Sequence, residues 1–342
     1  MYRIRVLSIF VIVFILFACL SNLPAARASQ KKLPAFILMG VNPRGAMLNA
    51  LGNGLAKLIS EKGPFDVKLR STSGFLDKLV NDGDVNISMG VSVESHQASH
   101  GLEHYKGRPQ KKVRLVASGP PLVIGFLVKK DAPFQSAADL KGKKITGKYP
   151  GTKPIYWDGV AMLATVDMTW DDVNVIPVGD LNEGVQSFIQ GRAEATLGAM
   201  RTGMIREADA TLKGVRFLTL PGGPEAAEKM WKAVPGCYTV RMKSGSALGV
   251  DRDMTVMAKD LYVIAGLDTA PEVIYEVTKA MWNDMKTLHS VHPLFRMWTH
   301  KSMIKPNITI PYHEGAVRWY KEVGEWNSDL EAAQNRLVQG LK

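Results

Sequence analysis

The fold is decided by residues 144–166, which read KITGKYPGTKPIYWDGVAMLATV. Residues 144–147 are typical of a short strand, residues 148–154 of a loop, and residues 155–166 of a helix. A strand, a loop and a helix in this order direct backbone N–H groups and the positive end of a helix dipole toward one place. The pattern favours an anion site, although many α/β proteins use the same turn for structural reasons alone.

Strands and helices alternate on both sides of this stretch. Buried-type strands are predicted at residues 35–39, 67–70 and 85–90, and again at residues 173–178 and 193–198. Amphipathic or apolar helices follow most of them, and this spacing predicts βαβ units with a largely parallel sheet. The strand and helix pattern restarts near Lys129 and returns after Cys237. We therefore predict an α/β protein of two lobes between which the chain crosses twice, with a cleft between the lobes.

The N-terminus has the pattern of a secretory signal. Arg3 and Arg5 precede an apolar run at residues 6–20, and small residues end at Ala28. We predict a signal peptide at residues 1–28, cleaved after Ala28, and a periplasmic protein. A retained membrane anchor is an alternative, but the run is shorter than the roughly 20 residues of a spanning helix.

A second alternative for the N-terminus is lipidation at Cys19. The preceding residues, Leu16-Phe17-Ala18, loosely resemble a lipoprotein box. Phe17 stands where a small residue is usual, so we favour the cleaved signal peptide.

Charge and cysteine content narrow the function classes. Removal of Arg3, Arg5 and Arg27 lowers the formal net charge from +11 to +8. The basic residues are scattered, which is typical of a soluble protein that attracts an acidic ligand rather than of nucleic-acid binding. A chain without residues 1–28 keeps only Cys237, which excludes an intramolecular disulfide and a cysteine-built metal site.

Three histidines, His96, His100 and His104, lie at four-residue spacing. On one unbroken helix they would share a face and form a candidate metal site. Gly101 and Gly107 argue against a long helix here. We therefore predict no metal and interpret residues 94–108 as a solvated surface segment.

Catalytic templates fail in this sequence. It contains no Gly-x-Ser-x-Gly elbow, no Walker loop and no His-Glu-x-x-His helix. Cys237 lies in a strand-like apolar run, where a buried thiol is more usual than a nucleophile. We expect a binding protein, without cofactor, rather than an enzyme.

Ligand contacts are expected in loops that follow predicted strands, because ligands of open α/β sheets lie outside the carboxyl ends of the strands. Arginine and lysine near these ends could bind a carboxylate, and aromatic residues could line the wall of the site. Each such cation could equally be an ordinary surface charge, and each aromatic an ordinary packing residue. The candidate ligand-binding residues are Asn42, Arg44, Ser71, Thr72, Ser73, Ser92, Lys148, Tyr149, Gly151, Thr152, Trp157 and Arg201.

Several segments together resemble a family. Residues 71–74 are similar to a Ser-Thr-Gly-Gly turn, and residues 139–143 read Asp-Leu-Lys-Gly-Lys before the strand of the second lobe. Residues 311–324 carry the pattern Pro-x-His-x-Gly-Ala-x-x-x-Tyr-x-Glu-x-Gly. These segments resemble the TAXI family, the receptor subunits of TRAP transporters, and the likeness covers nearly all of the chain after residue 28.

The resemblance implies a type II periplasmic binding protein with a Venus-flytrap fold. Lobe I would comprise residues 29–123 and the return segment 239–342 with its C-terminal helices, and lobe II residues 124–238. Such a receptor closes on a small organic acid and delivers it to a fused integral-membrane permease. The chain departs from the family at Met47-Leu48, where a pair of tyrosines is usual, and we expect a larger or more apolar carboxylate.

Proteins with this fold also perform other functions, which are alternatives for this chain. A type II binding protein can serve an ATP-driven importer or act as a periplasmic sensor, and the gene for a fused permease would distinguish these from a TRAP receptor. Enzymes of pyrimidine and tetrapyrrole synthesis also use a flytrap fold. The predicted signal peptide and the missing catalytic pattern argue against an enzyme.

Overall fold

The computed structural model describes residues 33–44, 47–72 and 75–341, apart from the side chain of Thr152. One compact unit begins at Ala35. The predicted signal peptide, Cys19 and the candidate Ser73 lie outside the described residues. No helix among the described residues is long and apolar enough to cross a membrane.

The described residues form one sheet of ten strands with α-helices packed on it. The strands are β1 Phe36–Val41, β2 Asp66–Ser71, β3 Ile87–Val91, β4 Val113–Lys129, β5 Lys144–Lys148, β6 Asn174–Val178, β7 Ala195–Ala199, β8 Val215–Phe217, β9 Cys237–Met242 and β10 Met254–Gly266. The helices are α1 Met47–Lys62, α2 Leu76–Asn81, α3 Ser92–His100, α4 Lys153–Ala164, α5 Leu181–Ile189, α6 Gly203–Leu212, α7 Pro224–Ala233, α8 Pro271–Asp284, α9 His300–Met303, α10 Glu314–Glu322 and α11 Ser328–Gly340.

The sheet consists of two groups of parallel strands joined by two long strands. In the first group β1 pairs with β2 and β3, and in the second group β5 pairs with β6 and β7. The long strands β4 and β10 pair antiparallel with each other and extend into both groups. This is the mixed α/β, two-lobed architecture that the alternation of strands and helices predicted.

The direction of the long strands determines where the two groups meet. On passing into the first group, β10 begins its pairing with β3 at Leu261, opposite Val91, the last residue of β3. On passing into the second group, β4 begins its pairing with β7 at Ile124, opposite Ala199, the last residue of β7. The carboxyl ends of both parallel groups therefore face each other across the joining strands.

Strand pairing changes from one group to the other near Gly119–Pro121 of β4 and near Asp260 of β10. The lobe boundaries expected from the sequence lie at 123/124 and 238/239, and they stay predictions.

The structure differs from the sequence predictions of secondary structure in three places. Residues 113–118 and 122–128 are each typical of a strand, and Gly119-Pro120-Pro121 between them predicts a break, but the structure has one strand, β4. Pro120 and Pro121 do not interrupt it because they lie at a register shift between Asp260 and Tyr262 of the partner strand β10, where the regular ladder is already broken.

The segment at residues 94–108 is not a solvated surface segment. It contributes most of α3, which buries Val93, Ser95 and Ala98 and ends at Gly101 in the left-handed conformation with φ 65°. Helix α7 was not expected at all. Pro224 at its first turn follows a Pro-Gly-Gly sequence that is typical of a loop, although proline is also favoured at a helix start.

Candidate functional site

The candidate site lies at the facing carboxyl ends of the two parallel groups. Loops follow β1, β2 and β3 on one side and β5, β6 and β7 on the other. Helices α1 to α3 and α4 to α6 begin directly after these loops, so their N-terminal ends also point at the space between the groups. The topology therefore produces the cleft that the sequence predicted.

On the first side, the loops after β1 and β2 contact each other. The Asn42 carbonyl oxygen accepts hydrogen bonds from Asn49 Nδ2 at 2.7 Å and from Ser71 Oγ at 3.4 Å. The Thr72 N–H donates to the Val41 carbonyl at 3.0 Å. Asn42 and Thr72 are half-buried, whereas Arg44 and Ser71 are exposed at the strand ends.

On the second side, the turn after β5 has an unusual backbone. Lys148 and Tyr149 both have positive φ angles, 71° and 45°, and Arg201 after β7 has φ 64°. Left-handed backbone costs a residue with a side chain roughly 1–2 kcal/mol. Strain of this kind is concentrated at functional turns. Gly151 is exposed, and its N–H donates to the Gly179 carbonyl at 2.7 Å.

Two candidate residues have side chains inside the protein. The Tyr149 side chain is fully buried. Its hydroxyl forms a hydrogen bond with Thr146 Oγ1 at 2.7 Å and donates to the Thr146 carbonyl oxygen at 2.9 Å. The Ser92 hydroxyl donates to the Gly236 carbonyl at 2.8 Å and accepts from the Asp260 N–H at 3.1 Å. Both hydroxyl groups form hydrogen bonds within the protein. They therefore stabilise the elements around the site rather than offer a free group to a ligand.

Trp157 lines a separate cavity. It is half-buried on α4, forms an edge-to-face pair with Tyr156 at 5.2 Å, and borders a cavity of about 350 Å³. The other lining residues come from α4, the segment after it and the end of α7, that is Val160, Ala164, Met168, Thr169, Trp170, Asp171 and Ala233. This cavity is therefore on one lobe and is not the space between the strand ends.

Four exposed cations lie at or near the strand ends that face the cleft. Arg44, Lys148, Lys153 and Arg201 are all exposed, and within the described ranges none of them has a carboxylate oxygen within 4 Å. Arg201 instead contacts the Ser246 carbonyl at 3.4 Å and Met297 Sδ at 3.7 Å. The cleft edge thus presents positive charge that no carboxylate of the described residues pairs with within 4 Å.

The acidic residues that follow β6 accept hydrogen bonds from backbone N–H groups of the same turn. Asp180 accepts a hydrogen bond from the Glu183 N–H at 2.8 Å, and Glu183 accepts one from the Gly179 N–H at 2.6 Å. These bonds cap α5 with its own carboxylates, so this helix end is not available to an anionic ligand.

Sequence reasoning missed a contact between the two sides. Lys153 Nζ, at the start of α4, lies 3.5 Å from Nδ1 of His104, which belongs to a 3-10 helix after α3. The His104 ring stacks on Phe75, with ring centres 5.1 Å apart and planes at 18°. Lys153 lies in the predicted loop at residues 148–154, so its position could be predicted from the sequence, whereas its contact with His104 depends on the fold.

Two carboxyl groups, those of Asp77 and Glu94, lie on helices α2 and α3 on the first side of the site. Asp77 in the first turn of α2 is fully buried, and neither of its oxygens has a hydrogen-bond partner among the described residues. Burial, followed by the nearby Glu94, raises the pKa of Asp77 to about 8. Burial also raises the pKa of Glu94, which accepts a hydrogen bond from the Tyr105 hydroxyl at 3.4 Å.

Ion pairs anchor the joining strand β10. Lys259 Nζ contacts both oxygens of Asp158 of α4 at 2.7 and 2.8 Å, and both side chains are buried. The next residue, Asp260, binds Lys305 Nζ at 2.5 Å and the Tyr238 hydroxyl at 2.7 Å. Burial raises the pKa of both carboxyl groups, while the lysine partners oppose that shift.

The histidines form no metal site with other ligands in the described part of the chain, which holds no group of three or more His, Cys, Asp or Glu suited to a metal ion. The rings of His96 and His100 lie 4.1 Å apart. Burial, helped by His100, lowers the pKa of His96 to about 4. Cys237 is free and fully buried, as predicted.

Comparison with solved structures identifies the fold. A TctC solute-binding protein from Polaromonas, solved without ligand, matches with a TM-score of 0.52 and 14% identity over 90% of this chain and 100% of that chain. A protein from Xanthomonas citri with bound chloride matches with a TM-score of 0.51 and 9% identity over 90% of this chain and 100% of that chain. The fold is therefore that of the two-lobed periplasmic solute-binding proteins. A profile of the NMT1-like family matches residues 39–324, and the chain belongs to that family.

Proposed function

We propose that this protein is an extracytoplasmic solute receptor that binds a small organic acid between its lobes. The observation that carries the proposal is the set of exposed cations without acidic partners, among the described residues, at the facing strand ends. A carboxylate ligand would supply the missing negative charge, and arginine can bind it through two parallel hydrogen bonds.

Each side of the cleft has a distinct part in the proposal. The carboxylate lies against the Gly151-Thr152 turn and the start of α4, with Lys148 and Arg201 from the same side. Arg44, Ser71 and Thr72 approach from the other side, and Ser73, which follows them in the sequence, stays a candidate. The strained backbone at Lys148 and Tyr149 supports a functional turn here.

The ligand has an apolar body beside its acid group. Met47 and Phe75 lie at the loop-proximal ends of α1 and α2, and their exposed fractions are 37% and 41%. Exposed large apolar residues at a binding edge favour a ligand with apolar surface. This supports the expectation of a larger or more apolar carboxylate.

Ligand capture in this proposal works by lobe closure without a chemical step. In the sheet the two lobes are joined through β4 and β10, and Asp260 on β10 lies where the pairing changes from one group to the other. A few residues in such strands can absorb the rotation of a lobe. The bound acid then favours the closed state by contacting both sides.

The proposed partner is a TRAP-type fused membrane permease, and the proposed location is the periplasm. The TAXI-like segments and the signal-type N-terminus support both. A receptor for an ATP-driven importer remains the alternative, and reconstituted uptake with the candidate fused permease distinguishes the two.

A thermal-shift screen tests the ligand class. The purified protein is heated with aliphatic, aromatic and keto acids, because a ligand that binds only the folded state raises the unfolding temperature. We expect a rise with at least one acid, and loss of that rise in Arg44→Ala and Thr152→Ala. Shifts with sugars or cations but with no acid would overturn the proposal.

A further inference from the structure

Phe75, His104 and Lys153 come from three separate elements and meet between the two sides of the cleft. Phe75 precedes α2, His104 lies in the 3-10 helix Glu103–Tyr105, and Lys153 begins α4. We infer that these three residues form a subsite for a carboxylate attached to an aromatic ring. The inference rests on the proposed function, since it specifies the acid that the cleft binds.

The aromatic part of the subsite is Phe75, a ring that two neighbours support and that stays partly exposed. His104 stacks on Phe75 at 5.1 Å with nearly parallel planes, and Tyr105 contacts the same ring at 5.2 Å. Phe75 nevertheless keeps 41% of its surface exposed. His104 covers one face of the phenyl ring, and the exposed part of the ring offers apolar surface against which a planar ligand can pack.

The charged part of the subsite is the Lys153 ammonium. Its Nζ donates toward His104 Nδ1 across 3.5 Å, a geometry that requires a neutral imidazole with its proton on Nε2. Burial, followed by the Lys153 charge, lowers the pKa of His104, whereas Glu103 on the same 3-10 helix raises it. His104 therefore holds the ammonium beside the aromatic pair without cancelling its charge.

Exposed apolar surface on Phe75 and the ammonium of Lys153, which both contact His104, favour a particular ligand shape. A carboxylate bonded directly to a ring, or one carbon from it, can bind Lys153 while its ring covers Phe75. A short acid without a ring reaches the ammonium and leaves Phe75 exposed to water. Contact with both sides also couples this ligand to lobe closure.

A calorimetric titration with two probes of equal charge and similar size tests the subsite. Benzoate carries the aromatic ring, and cyclohexanecarboxylate carries a saturated one. We expect benzoate to bind the protein at least about threefold more tightly, because ring stacking adds to simple burial. Phe75→Leu should abolish this preference, because it lowers the affinity for benzoate more than the affinity for cyclohexanecarboxylate.

Lys153→Met should weaken both acids by roughly tenfold, as expected for loss of a hydrogen bond to a charged group. Matched controls are Phe36→Leu and Lys144→Met. Phe36 is 44% exposed and Lys144 is exposed, and both begin parallel strands at the edge away from the cleft. Both controls should bind the two acids as the unaltered protein does.

The outcomes separate this inference from the proposed function. Equal binding of the two acids, or unchanged affinities in Phe75→Leu and Lys153→Met, would overturn the subsite while the wider acid screen still supports a receptor. Failure of both probes to bind would also overturn the subsite. If no acid in the screen raises the unfolding temperature, the proposed function is overturned as well.

Discussion

Asp77 is a carboxyl group that the fold holds in its protonated form at neutral pH. Its ordinary pKa is 3.8, and burial with Glu94 nearby raises the pKa to about 8. The folded protein therefore keeps a proton that the unfolded chain loses above about pH 4. The free energy of unfolding contributed by this group is greatest below about pH 4 and falls as pH rises from about 4 to about 8.

Asp77→Asn should remove this dependence. We expect the free energy of unfolding of the variant to rise by on the order of a few kcal/mol relative to that of the unaltered protein when pH is raised from about 5 to about 8. Urea unfolding at the two pH values measures the change. Asp171→Asn, at an exposed aspartate, is the control and should keep the original slope. An unchanged slope in Asp77→Asn would show that Asp77 does not carry the proton.

At the scale of single elements, the C-terminal segment that resembles the TAXI family has a structural role in this protein. His313 caps the start of α10, because its Nδ1 accepts a hydrogen bond from the Gly315 N–H at 3.1 Å. Tyr320 of the same helix donates to the Val116 carbonyl at 2.9 Å. The Tyr320 hydrogen bond ties α10 to β4, the His313 bond fixes the start of the helix, and both give this recognisable sequence a role away from the cleft.

Gly315 allows α10 to approach α8 closely. A Cβ at this position would lie 2.2 Å from the Pro271 carbonyl oxygen and 2.8 Å from the Tyr275 nitrogen. We expect Gly315→Ala to lower the free energy of unfolding by about 1–3 kcal/mol, because the backbone must move. Gly340→Ala is the control, since among the described residues no heavy atom outside its own helix backbone lies within 4 Å of an added Cβ. Equal stability of the two variants in urea would contradict the close approach.

The turn after β5 holds measurable strain. Lys148 has φ 71°, a conformation that glycine adopts without steric cost. Lys148→Gly should raise the free energy of unfolding by up to about 1 kcal/mol. Lys144→Gly in the same strand, where the backbone is not left-handed, should lower it by roughly 0.5–1 kcal/mol. A loss of stability in both variants would show that the turn is not strained.

Periodicity predicted most elements because each strand and helix buries one face in a local pattern. Residues 144–147 and 155–166 correspond to β5 and α4 within a few positions. Chemistry at the strand ends was harder to predict. Ser92 and Tyr149 have polar side chains suited to a ligand, but partners within the protein occupy them. Lys153 contacts His104, which lies 49 positions away in the sequence, and a local sequence pattern cannot predict such a contact.

At the scale of the whole molecule, two parallel strand groups face each other because β4 and β10 run through both. That arrangement places Arg44 on one side of the cleft and Lys148 and Arg201 on the other. We propose that these cations form one acid-binding site. It depends on the crossing strands, and no single lobe contains the complete set.

The most direct test is a calorimetric titration of the acid that gives the largest thermal shift. It compares the unaltered protein with the triple variant Arg44→Gln, Lys148→Gln, Arg201→Gln. A control triple variant carries Lys57→Gln, Lys129→Gln and Lys301→Gln, at exposed lysines away from the strand ends that face the cleft. We predict that the control binds normally and that the site variant loses at least roughly tenfold in affinity. Equal affinity in all three proteins would contradict the account.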